Sequence, residues 1–178
     1  MDHFTLTIPC KYYIGAYLEN NCGIPADLSV FPELLIDFRK RLDKTPELHT
    51  PSSTIAEPST VTIIIPNDDF YRYGYSMSKK NIHEFLYRIE KKLKFISRQY
   101  ITLGIIMGNS MTSTIRSFQE EYCLSETVWA FETIKKDYDR NAQKSEFNRK
   151  SLKGEFCDNL VKENKEYYGR YQHSYKTF

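Results

Sequence analysis

The stretch SKKNIHEFLYRIEKKLKFISRQYITLGIIM, residues 78–107, decides the fold class. Phe85, Ile89, Leu93, Ile96 and Tyr100 recur at spacings of four, four, three and four. That period lays them along one face of an α-helix. Ser78 is placed to cap the first turn, although Asn81 stands where a capping box needs Glu or Gln. Gly104 or Gly108 bends or ends the helix. The outer face is basic, with Lys79, Lys80, Arg88, Lys91, Lys92, Lys94 and Arg98 against Glu84 and Glu90.

Upstream of this helix the pattern changes. Phe4-Thr5-Leu6-Thr7-Ile8 alternates apolar and polar residues, as a half-buried strand does. Pro9 is expected to stop it and to open a helix over 10–21, with Gly23 just past its end. A second helix is expected near 30–43, with Ser29 as N-cap and Pro32 in the first turn. Residues 44–60 hold three prolines and many hydroxyl residues, and read as a loop. Val61-Thr62-Ile63-Ile64-Ile65 is rich in β-branched residues and reads as a strand ended by Pro66. Two strands are too few for an independent sheet, so they are expected to pair with each other against helices.

Downstream, IRSFQEEYCLSETVWAFETIKKDYDRN (115–141) reads as two helices with a corner at Cys123-Leu124-Ser125. Ser125 and Glu126 suit the start of the second helix, taken as 126–140. Leu124 is placed to plug the corner. Two readings stay open here. In one, the pair is a DNA-reading helix-turn-helix. Lys135, Lys136 and Arg140 then meet phosphates, Thr127, Ala130 and Thr133 lie nearest the bases, and Lys91, Lys92, Lys94 and Arg98 add secondary contacts. In the other, both helices pack in a core and carry no ligand. Glu120, Glu121, Glu126 and Glu132 favour the second reading, because phosphates repel them. Beyond residue 141, Phe147, Leu152, Phe156, Leu160 and Val161 suggest one more helix, and 166–178 reads as a flexible tail. In that tail Tyr167, Tyr168, Arg170, Tyr171, His173, Tyr175 and Lys176 interleave rings with positive charge, a pattern able to stack on unpaired bases.

Charge is uneven along the chain. Residues 1–70 carry 5 Lys+Arg against 10 Asp+Glu, a net of −5, and residues 71–178 carry 20 against 13, a net of +7. A polyanion would therefore meet the C-terminal part, unless the two parts neutralise each other. Cys10, Cys22, Cys123 and Cys157 lack the spacing of a zinc half-site and read as small buried residues. His3, His49, His83 and His173 have no His partner at helical spacing. Asn67-Asp68-Asp69 reads as helix-start chemistry more readily than as a cation site. With no phosphate loop and no nucleophile elbow, no enzymatic role, catalytic residue, metal or cofactor is expected. The start MDHFTLTIPC is unlike a signal peptide and no run is long enough for a membrane span, so a cytoplasmic protein without membrane contact is expected.

FYRYGYSMSKKNIHEF (70–85) and the pattern F-Q-E-x-x-x-L-x-E-x-x-W-x-F-E-x-I-K-K-D-Y-x-R (118–140) resemble uncharacterised proteins of mobile elements and prophages of Bacteroides-type bacteria. The likeness covers 60–141 and the FTLTIP start. It implies a setting, that of an accessory or regulatory protein of a mobile element, and no reaction.

The expected fold is mostly α (α+β), a helical bundle with a small two-stranded β ribbon and a C-terminal helix-turn-helix-like unit at 112–141. The parts are 1–75, 76–165 and the tail 166–178. The expected partner is double-stranded DNA through 126–140, with a homodimer left open. The alternative is a protein-interaction or structural module with an aromatic surface. Residues 4–43 also read as strand, helix, helix, the order of a ribbon-helix-helix protein, but this region is acidic.

Overall fold

A computed structural model of the chain describes residues 4–45 and 59–141. The expected mostly helical α+β class is what it shows. Strand β1 (Phe4–Cys10) pairs antiparallel with β2 (Ser59–Ile65), from Phe4↔Ile65 to Cys10↔Ser59. Alternation sorts the two faces. Ile8, Cys10, Val61, Ile63 and Ile65 are buried, whereas Thr5, Thr7 and Thr60 point to solvent. Pro9 does not stop β1 but lies inside it.

Helix α1 (Tyr12–Cys22) follows directly and ends at Gly23, whose φ of 85° suits a residue without a side chain. The expected helix at 30–43 divides. A 3-10 turn (Leu28–Val30) is capped by Asp27, which accepts from Ser29 N–H, and α2 (Pro32–Arg39) begins at the proline. Ser29 therefore receives a cap and does not provide one. Helix α3 (Asn67–Arg72) starts after Pro66. Its Asp69 is buried and accepts from Arg39 Nε at 2.7 Å, so its carboxylate serves an ion pair and not the helix start.

Helix α4 (Lys79–Ile106) matches its expected span, and Ser78 Oγ accepts from Asn81 N–H at its start. It ends in a Schellman motif: Asn109 N–H reaches Gly104 O, Gly108 N–H reaches Ile105 O, and Gly108 has φ 91°. Helix α5 (Met111–Glu121) turns back along α4. A Cβ on Gly104 would overlap the Thr114 side chain, so the close approach of the two helices requires a glycine there. Helix α6 (Phe131–Asn141) closes the described chain.

One core joins these elements. Ile8 and Ile63 from the ribbon, Leu18 from α1, Phe38 from α2, Phe85, Ile89 and Leu93 from α4, Phe118 from α5 and Ile134 from α6 all belong to it. Residues on both sides of position 75 therefore share one interior, because α1 and α2 both pack on α4. The chain divides into a unit Met1–Tyr138 and a unit Asp139–Phe178. Of the second, only Asp139–Asn141 is described; the helix expected around Phe147–Val161 and the tail at 166–178 lie outside the described residues. Among the described residues no helix is long and apolar enough to cross a membrane.

Candidate nucleic-acid interface

The corner between α5 and α6 is longer than expected and built differently. Helix α5 ends in a second Schellman motif. Leu124 N–H donates to Gln119 O at 2.8 Å, and Cys123 N–H donates to Glu120 O at 3.1 Å. Cys123 takes the left-handed position with φ 51°, where glycine is commonest. Leu124, fully buried, plugs the corner as expected.

Helix α6 then starts at Phe131 and not at residue 126. Two contacts explain the shift. Glu126 turns its carboxylate onto Phe131 N–H at 3.0 and 3.1 Å, so it caps the helix from outside. Trp129, 2% exposed, is drawn inward, where Tyr13 stacks on it at 4.9 Å and Phe118 meets it edge-on at 6.1 Å. Gln119 Nε2 holds the Trp129 carbonyl at 2.8 Å. Between them Ser125–Trp129 forms a single turn, and the Ser125 hydroxyl bonds to Thr127 and caps no helix. The indole Nε1 of Trp129 is buried without a hydrogen-bond partner among the described residues.

The candidate residues separate accordingly. Thr127 is exposed and Ala130 half-buried, and both lie in the corner, outside the helix expected to carry them. Thr133 is exposed in the first turns of α6. Lys135 is half-buried, and Lys136 and Arg140 are exposed, four residues apart along α6. None of these three cations lies within salt-bridge distance of a carboxylate among the described residues. Glu132 and Asp139 are exposed on the same helix.

The α4 set behaves otherwise. Lys92 Nζ lies 3.6 Å from Glu33, Lys94 Nζ 2.6 Å from Glu90, and Arg98 Nη1 3.1 Å from Asp137 of α6. Lys91 has no carboxylate partner among the described residues, and its Nζ lies 6.0 Å from the Tyr87 ring. A ladder of ion pairs accounts for much of this face. Helix α2 runs antiparallel to α4, so Arg41 meets Glu84 at 2.6 Å, Asp37 meets Arg88 at 2.9 Å and Glu33 meets Lys92. The acid of the N-terminal part and the base of α4 thus neutralise each other along one seam.

Glu90 is the centre of a second network, accepting from Lys11, Tyr13 and Lys94 at 2.9, 2.8 and 2.6 Å. Burial pushes its carboxyl up, but these three hydrogen bonds outweigh that and hold it down at about 2. Burial, with Asp27 nearby, pushes the Cys22 thiol up to about 11, which keeps it protonated. Cys10 and Cys22 are buried as expected, whereas Cys123 is exposed because the left-handed corner turns it outward. Cys157 lies outside the described residues.

Arg116 is the residue that sequence reading missed. It is exposed on α5, with its guanidinium 5.7 Å from the Phe131 ring, one helical turn from Lys135. It also lines an open groove of about 370 Å³ with Gln119, Glu120, Cys123, Ser125 and Glu126. Its distance in sequence from α6 hid the proximity. Comparison with protein families, curated proteins and solved structures gives no match.

Proposed function

We propose that this chain acts by binding and not by catalysis, as an accessory or regulatory DNA-binding protein of the kind mobile elements carry. Helix α6 meets duplex DNA. Lys135, Lys136 and Arg140 neutralise phosphates, with Arg116 beside them, and Thr133 is the α6 side chain nearest the bases. The supporting observation is that these α6 cations lack carboxylate partners among the described residues, whereas Lys92, Lys94 and Arg98 have them. An unpaired surface cation releases DNA counterions on contact without first breaking an ion pair.

The test is fluorescence anisotropy of labelled duplex DNA with the full chain. Affinity is expected to fall with salt, with a slope of about −0.9 in log–log form per phosphate contacted. Combined Lys135→Glu, Lys136→Glu and Arg140→Glu substitution is expected to abolish binding, and Lys92→Ala with Lys94→Ala to leave most of it. Absence of binding at low salt refutes the reading.

One observation favours a second reading, a protein-interaction module with an aromatic surface. Phe4 stacks on Phe70, which meets Tyr71 edge-on at 5.3 Å and stacks on Tyr75 at 5.2 Å. Tyr71 is 70% and Tyr75 40% exposed, so this cluster shows part of its ring surface to solvent.

A further inference from the structure

The free edge of β1 is a polar surface that nothing in the described chain uses. The direction of its backbone groups follows from the opposite edge of the ribbon. Ala26 N–H donates to Thr62 O at 2.8 Å, and Ile64 N–H donates to Ala26 O at 2.9 Å. Thr62 and Ile64 therefore turn their backbone groups away from β1, and Val61, Ile63 and Ile65 turn theirs toward it. The residues opposite those three are Ile8, Leu6 and Phe4. On β1, then, Phe4, Leu6 and Ile8 bond to β2, and Thr5, Thr7 and Pro9 face outward.

This explains the proline inside a strand. Its missing N–H would have pointed to the free edge, so no bond of the ladder is lost. Thr5 and Thr7 each hold out an N–H and a C=O that meet no partner among the described residues. Proteins usually guard such an edge with a charge, a proline, a bulge or a cover, and Pro9 guards one end of this one. Here Phe4–Cys10 contains no charged residue, and its register with β2 runs without a skipped position. An uncharged strand meets a copy of itself without like-charge repulsion.

We propose that β1 pairs antiparallel with β1 of a second copy of this chain, joining the two ribbons into one continuous sheet. Pro9 selects the register. A pair centred on Thr7 would set Thr5 opposite the partner's Pro9, which cannot donate. A pair centred on Leu6 sets Thr5 opposite the partner's Thr7, and both N–H···O bonds form there and again at the symmetric position. This pairing does not depend on DNA binding.

The test combines sedimentation velocity with amide hydrogen exchange on the full chain, from dilute to concentrated. The mass is expected to rise to twice 21.1 kDa. Exchange is expected to slow with concentration at Thr5 and Thr7, while Leu6 and Ile8 stay protected throughout. Thr7→Pro, which removes one outward donor, is expected to return the chain to single mass. Thr5→Lys, which places a charge beside the edge and leaves the ladder to β2 intact, is expected to do the same with an unchanged circular dichroism spectrum. A chain that stays monomeric when concentrated overturns the proposal. So does a dimer in which Thr5 and Thr7 exchange as fast as in the monomer, or one that persists in a folded Thr5→Lys variant.

Discussion

On α4, Arg88, Lys92, Lys94 and Arg98 each lie beside a carboxylate; on α6, Lys135, Lys136 and Arg140 lie beside none among the described residues. By residue count α4 is the more basic helix. Of the candidate cations, those of α6 lack a carboxylate partner among the described residues, whereas those of α4 other than Lys91 have one. The difference lies in what packs alongside. Helix α2 runs antiparallel to α4 and presents Glu33 and Asp37 at the spacing of Lys92 and Arg88, whereas Lys136 and Arg140 face solvent. A basic stripe in a sequence becomes a basic surface only where no acidic element is laid against it.

The harshest way to break this comparison is Asp37→Ala. Its carboxylate is 10% exposed and holds both Arg41, itself 11% exposed, and Arg88. Removing it leaves a buried guanidinium short of a partner and is expected to cost about 3 kcal/mol. The urea midpoint should fall with its slope unchanged.

Gly104→Ala is expected to cost about 2 kcal/mol, because the added methyl must push α5 away from α4. Thermal unfolding reads this, and a paired Thr114→Ser change, which removes the methyl in the way, should recover part of the loss.

Acid reports the Glu90 network. With its carboxyl held down at about 2 against an ordinary 4.5, Glu90 contributes fully above 4.5. That contribution is lost as pH falls toward the folded value, since the unfolded chain takes up the proton first. It amounts to about 1–2 kcal/mol after allowance for solvent screening. Glu90→Gln should flatten the fall in urea midpoint between these two pH values; an unchanged fall would mean the network is not stabilising.

The smallest effect sharpens the other side. Lys136→Ala and Arg140→Ala are each expected to change stability by less than ~0.5 kcal/mol, because neither cation has a salt-bridge partner among the described residues. A loss as large as that of Asp37→Ala would show α6 to be structural and remove the contrast.

Periodicity made much of this legible. The span of α4, the plug at Leu124, the pairing of the two strands and the stop at Gly23 all rest on local pattern, and the structure has them. The start of α6 was not legible. Ser125 and Glu126 have the chemistry of a helix start, but Glu126 caps Phe131 from a distance and Trp129 is pulled into the core between them. Pro9 misled for a similar reason. Local rules make proline a strand stop, and only the edge position of β1 makes it harmless. Arg116 went unnoticed because its closeness to Phe131 spans a folded corner.

By itself the sequence determined the helical class, the long inner stripe from Phe85 to Tyr100 and the two β-branched strands, because each follows from the spacing of neighbours along one chain. Only the tertiary structure decided where α6 begins and, among the described residues, which cations lack a carboxylate and which edge of β1 is unpaired. Those depend on residues far apart in sequence meeting in space: Asp37 with Arg88, Trp129 with Tyr13, and Ala26 with Thr62.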